Sequence, residues 1–209
     1  MDGSSVGIMV KLLLLVAVTT IAMVVSACGS SNQSSSDAFV DVVTTSNIAE
    51  DWVQRIGGTR VSVFSLVPTG ADPHAFQPGA RDVTRVADAD VIISMGLGLE
   101  KGWLEDMLDT ASSDSGVLIA LGEVTGPITI GDQGSEVLDP HFWFDPLRVK
   151  LAIAEIALTM TALDPEGAQN YRDNTIAYLQ ELDELHAWAQ GILAMVPADR
   201  RVLVTSHDT

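Results

Sequence analysis

The chain has 209 residues, enough for one domain or a domain and a part, with a sizeable core. Its 28 acidic and 11 basic residues give a formal net charge of −17, and a surface that acidic argues against nucleic acid and anionic membrane as partners. The single cysteine, Cys28, excludes an intrachain disulfide and a zinc centre built on thiolates, so any metal site must use His and carboxylates.

Ile8 to Val25 is almost wholly apolar, with Lys11 near its start and the small residues Ser26-Ala27 after it. A basic start, an apolar stretch and small residues at the end read as a secretory signal peptide over residues 1–27. Asp2 is out of place in such a leader, and Met9 makes the more ordinary start. The length of the run also suits a membrane-spanning helix. Against that, Val25-Ser26-Ala27-Cys28 resembles a bacterial lipobox, whose cysteine is lipidated and becomes the first mature residue. The Ser, Gly, Asn and Gln that follow read as a flexible tether over residues 28–37. The expectation is a protein on the outer face of the cell membrane, held there by its lipid anchor alone.

From Ala38 onward strands and helices alternate. Phe39–Thr44 is a strand, Asn47 caps a helix that ends at Gly57-Gly58, and Arg60–Leu66 is a second strand. A loop rich in Pro and Gly runs to Gly79, a helix follows over 81–89 with Val83, Val86 and Ala87 inward, and Val91–Met95 is a buried strand. A helix spans Glu100–Ala111 and the next buried strand is Val117–Leu121. Apolar strands between helices predict an α/β fold, a parallel sheet flanked by helices. Val149, Ile153, Ile156, Met160 and Leu163 mark one face of a helix. Asp164-Pro165-Glu166 then reads as cap, first-turn proline and first-turn acid of a long helix to Met195, striped by Leu179, Leu182, Leu185, Ala189, Ile192 and Val196. Pro197 ends it, and Arg201–Thr205 begins a new strand. A strand with no element after it reads as the start of something longer, so the sequence is expected to be truncated.

Three of the four histidines stand in loops beside strands: His74 in Asp72-Pro73-His74, His141 in Asp139-Pro140-His141, and His207 after the last strand. Loops at the carboxyl ends of a parallel sheet converge on ligands although they are distant in sequence. Proline fixes the backbone before each of the first two imidazoles. Neutral imidazoles suit zinc, copper, iron and nickel. Taken alone, Asp-Pro is also ordinary turn chemistry. His186 lies inside the long helix with Asp183 three residues before it, a surface contact rather than a metal site.

Asp72-Pro73-His74-Ala75-Phe76-Gln77-Pro78, the run from Ala87 through Val91-Ile92-Ile93-Ser94-Met95 to Glu100, Asp139-Pro140-His141-Phe142-Trp143 and Thr205-Ser206-His207-Asp208 together carry a resemblance. They are similar to motifs of the metal-specific solute-binding lipoproteins of bacterial ABC importers, the zinc and manganese group. The resemblance implies a two-lobed solute-binding fold with a long connecting helix: a first α/β lobe over 38–163, the connector over 164–197, and the start of a second lobe over 198–209, most of which is missing. It implies His74, His141 and His207 as metal ligands, Zn2+ as cargo with Mn2+ as the alternative, and an ABC permease as partner of a monomer. The family's fourth ligand, an Asp or Glu, would fall further on. Two departures stand out. Zinc members often carry a His-rich loop before the second ligand, and Glu123–Leu138 holds no histidine. Manganese members often have Glu where His207 stands, so the third imidazole favours zinc. A three-histidine site also describes a zinc hydrolase, for which Asp72, Asp139 and Asp145 are the nearby carboxylates, or else partners that orient the imidazoles. A binder of metal chelates on the same scaffold is the remaining alternative.

Overall fold

The computed structural model describes residues 40–111, 116–131 and 136–204. The described residues all lie in the unit Asp37–Thr209. Cys28 and the expected signal peptide and tether, residues 1–37, lie outside the described residues. Among the described residues no helix is long and apolar enough to cross a membrane.

Four parallel strands form the sheet: β1 (Val40–Thr44), β2 (Val61–Ser65), β3 (Val91–Ser94) and β4 (Val117–Ala120), in the order β2-β1-β3-β4. Helices α1 (Asn47–Gly57), α2 (Ala80–Asp88) and α3 (Leu104–Ala111) make the crossovers between them. Successive residues of a strand point to opposite faces, and the two faces are filled separately. On one, Val40, Val42, Val91 and Ile93 pack with Trp52, Val53 and Ile56 of α1 and with the helices that follow the sheet. On the other, Val43 and Ile92 pack with Val86 of α2 and with Trp103, Leu104 and Met107. The sequence expectation of a parallel sheet covered on both faces is met.

After β4 come a short helix α4 (Leu121–Val124), an antiparallel hairpin β5 (Thr129–Ile130) and β6 (Val137–Leu138), then α5 (Pro146–Leu163) and α6 (Ala168–Ala194). Val149, Ile153, Ile156 and Met160 of α5 are buried as the spacing predicted.

Several local expectations are corrected. Ser46, not Asn47, caps α1, its hydroxyl accepting from the Ile48 amide at 3.1 Å. Helix α3 begins at Leu104 rather than Glu100, because Gly102 sits at φ +94° and breaks the turn. Strand β4 is not buried: Val117 is 51% exposed and Leu118 50%, since among the described strands β4 is last in the sheet order and pairs with β3 alone. Leu121 opens α4 instead of ending β4. Ala87 and Leu163 face outward. Residues 201–204 form no strand, because no described strand pairs with them, and Val202 to Val204 are exposed.

The long helix is buried only at Tyr171, near its start, and Leu182, at its middle. Leu185 and Ile192 of the expected apolar stripe are exposed. Asp164 does not cap that helix with its side chain; a 3-10 turn, Pro165–Gly167, intervenes. Its carboxylate instead takes a bidentate pair from Arg60, Nε to Oδ2 at 2.6 Å and Nη2 to Oδ1 at 2.8 Å, and accepts the Tyr171 hydroxyl at 2.6 Å. A guanidinium fork matches a carboxylate in this way better than an N-terminal amide does. The Arg60 hydrogen bonds hold the Asp164 carboxyl down at about 2. Burial, then the neighbouring Asp164, pushes the Tyr171 phenol up to about 12. Asp183 pairs with Lys150 of α5 at 2.5 Å rather than with His186.

Candidate metal centre

The loop after β2 carries His74 in a short 3-10 turn, Pro73–Ala75. Asp72 precedes it in extended geometry, and its Oδ1 accepts from the His74 amide at 2.9 Å. The hairpin β5–β6 leads into Asp139-Pro140-His141. Asp139 is buried, and its Oδ1 accepts twice: from the His141 amide at 2.9 Å and from the imidazole Nδ1 at 2.7 Å. A carboxylate on Nδ1 fixes the tautomer with its proton there, and leaves the Nε2 lone pair to bind a cation. Trp143 sets its ring edge-on to His141 with centroids 5.0 Å apart.

The two imidazoles, 67 positions apart by number, meet with ring centroids 6.3 Å apart. Two imidazoles on one tetrahedral zinc, each nitrogen at about 2.0–2.1 Å, need centroids about 5 Å apart. The observed separation exceeds that by about 1 Å. Both rings line one open cavity of about 640 Å³, together with Leu97, Gly98, Lys101 and the hairpin. That cavity stands outside the carboxyl ends of the strands, the usual place for ligands in such a sheet. Among the described residues no group of three or more His, Cys, Asp or Glu could hold a metal; the described histidines that line the cavity are His74 and His141. His207 lies outside the described residues. His186, half-buried on α6, does not line the cavity.

Of the three flanking carboxylates, Asp139 orients an imidazole. Asp72 holds a backbone amide, and Asp145 caps α5 by accepting from the Leu147 amide at 2.9 Å.

Sequence reasoning missed Glu100. It is 3% exposed, and three groups donate to its carboxylate: Thr45 Oγ1 at 2.5 Å and the Met95 amide at 2.8 Å to Oε1, the Gly96 amide at 3.0 Å to Oε2. Burial raises its pKa, opposed by these hydrogen bonds. The acceptor sits where β1 and β3 end side by side, which is where the sheet order reverses. It closes the turn Gly96-Leu97-Gly98, in which Leu97 is the one described non-glycine residue at positive φ (+54°). The turn forms one wall of the cavity. The signal available was the apolar run before a lone acid, Met95-Gly96-Leu97-Gly98-Leu99-Glu100.

Residues 42–209 match the family described as zinc-uptake complex component A, periplasmic, or ZnuA. The chain belongs to this family. Among its relatives is the manganese-binding lipoprotein MntA of Halalkalibacterium halodurans, 33% identical over 91% of this chain and 63% of that protein. The iron-binding protein YfeA of Yersinia pestis is 31% identical over 87% of this chain and 58% of its own length. The solved periplasmic zinc-binding protein TroA from Treponema pallidum superposes with a TM-score of 0.73 at 30% identity, covering 81% of this chain and 60% of that one. The chain thus spans about three fifths of the length of these ZnuA-family relatives.

Proposed function

We propose that the chain belongs to an extracytoplasmic metal-capture protein that hands a divalent transition metal to an ABC permease. His74 and His141 supply two ligands and His207 a third; zinc is the first choice of cargo and manganese the second. The observation that carries this reading is the meeting of two loop imidazoles at the strand ends, one of them oriented by a buried carboxylate. A mainly imidazole set favours zinc over the harder manganese ion. Relatives named for manganese, iron and zinc keep all three ions within the family's range.

In this reading residues 1–27 are the leader, Cys28 is lipidated, 28–37 tether a lobe over 38–163, the connector spans 164–197, and 198–209 open a second lobe. The protein acts as a monomer on the outer face of the membrane. It is not an enzyme. A hydrolase would need a carboxylate base in the cleft, and Asp72, Asp139 and Asp145 are each engaged in fixing backbone or imidazole.

The test is calorimetric titration of the metal-stripped mature protein with Zn2+ and Mn2+, as wild type and as His74→Ala. Tight zinc binding lost in the variant is expected. Unchanged tight binding would overturn the ligand assignment. Binding is expected to weaken towards acid pH, because ligand imidazoles must be neutral.

A further inference from the structure

We propose that Trp103 is a positioning residue for His74, clamping with Asp72 the peptide unit from which that imidazole projects. The inference rests on His74 as a metal ligand.

The geometry is specific to one bond. The Trp103 indole Nε1 donates to the Pro73 carbonyl at 3.0 Å. The Asp72 carboxylate accepts from the His74 amide at 2.9 Å. Those two groups are the C=O and N–H of the same Pro73–His74 peptide. A peptide plane held at both polar ends cannot rotate, so the direction in which the His74 side chain leaves the backbone is set before any ion arrives. The proline ring fixes φ on the near side of that plane.

The clamp has a firm base. Trp103 is buried in the second core cluster, and its ring meets Phe76 edge-on with centroids 5.0 Å apart. Phe76 stands two residues beyond His74, so the same indole holds the turn on both sides of the ligand. Three residues before Trp103, Glu100 is anchored to the ends of β1 and β3 by its three donors. The segment 95–103 therefore links the sheet to the His74 turn. Its own residues Leu97, Gly98 and Lys101 face the cavity in which His74 stands. A buried indole N–H ordinarily takes a partner, and here that partner is the carbonyl of the Pro73–His74 peptide.

The experiment compares Trp103→Phe, which keeps a ring against Phe76 but removes the donor, with Asp72→Ala, which releases the other end of the same peptide without touching the core. The full chain is used throughout. The first readout needs no metal. Amide hydrogen exchange at His74 is expected to speed up about fivefold in both variants, with exchange of the Ile92 and Ile93 amides unchanged. The second readout is zinc affinity by competition with a chromophoric chelator. Each variant is expected to bind about fivefold more weakly, below the 10- to 100-fold typical of groups that touch a ligand ring. In a His74→Ala background Trp103→Phe should add nothing, whereas in a His141→Ala background it should still weaken binding.

Equal loss in both backgrounds would mark a general packing defect and overturn the proposal. So would unchanged exchange and unchanged affinity in both single variants. If His74→Ala binds zinc as well as wild type, the ligand reading itself fails, whatever Trp103 does. If His74→Ala binds poorly but neither clamp variant changes affinity, the Trp103 proposal alone fails.

Discussion

The two Asp-Pro-His turns have the same three residues and different structures. In the first, the Asp72 carboxylate accepts from the backbone amide of His74, and the histidine is exposed. In the second, the Asp139 carboxylate is buried and holds both the backbone and the ring of His141. The backbone hydrogen bond is the same length in both, 2.9 Å. What differs is the surroundings: Asp139 follows a hairpin and is buried, while Asp72 stands exposed on a loop. A short motif thus sets the turn, and its context decides how deeply the aspartate and histidine are buried.

The strongest way to break this contrast is Asp139→Ala. It removes the ring acceptor and leaves a buried His141 amide unpaired. Zinc affinity should fall about 10- to 100-fold, and stability by about 1–3 kcal/mol, measured by chelator competition and by denaturant unfolding. Asp72→Ala should cost less on both counts, about fivefold in affinity and within about 1 kcal/mol in stability. Equal effects from the two substitutions would show that the rings are held alike in solution, and the contrast would collapse.

A site remote from both turns supplies the control. Tyr171→Phe removes a hydroxyl donor to Asp164 and should lower stability by about 1.5–3 kcal/mol, the usual value for a hydrogen bond to a charged group. Zinc affinity should not change. The same network gives a pH signature. The Asp164 carboxyl lies at about 2 in the fold against an ordinary value of 3.8. The folded value is the lower one, so the contribution is complete above 3.8 and is lost as pH falls from there towards 2. The gap in melting temperature between wild type and Asp164→Asn should therefore close over that interval. The smallest effect belongs to His186→Ala, which should leave zinc binding unchanged in the same competition assay.

The parallel sheet was legible because apolar runs such as Val91–Ser94 are too short for helices and too apolar for a solvated face. The histidine pair was legible because both imidazoles follow a proline at a loop start. Other features depend on which elements become neighbours, and no local pattern carries that. Val117–Ala120 reads as a core strand but lies at the sheet edge. The β5–β6 hairpin has only two residues on each side, too few for a visible alternation. Asp164-Pro165 has the pattern of a helix cap, and Arg60, far away in sequence, claims the carboxylate instead. Glu100 is a lone acid after an apolar run, and its burial follows from two strand ends meeting beneath it.

The Arg60–Asp164 pair also bears on how the chain reaches its fold. The partners are 104 positions apart, and Tyr171, which completes the network, opens the long helix. Joining them requires a loop of that length to close, whereas each strand–helix–strand crossover of the sheet closes over a much shorter stretch. The sheet and its crossovers can assemble first, and the long helix docks against them afterwards. A contact made after the rate-limiting step acts on escape from the native state rather than on entry to it. Loss of the Asp164 carboxylate should then speed unfolding and leave the folding rate almost as it was.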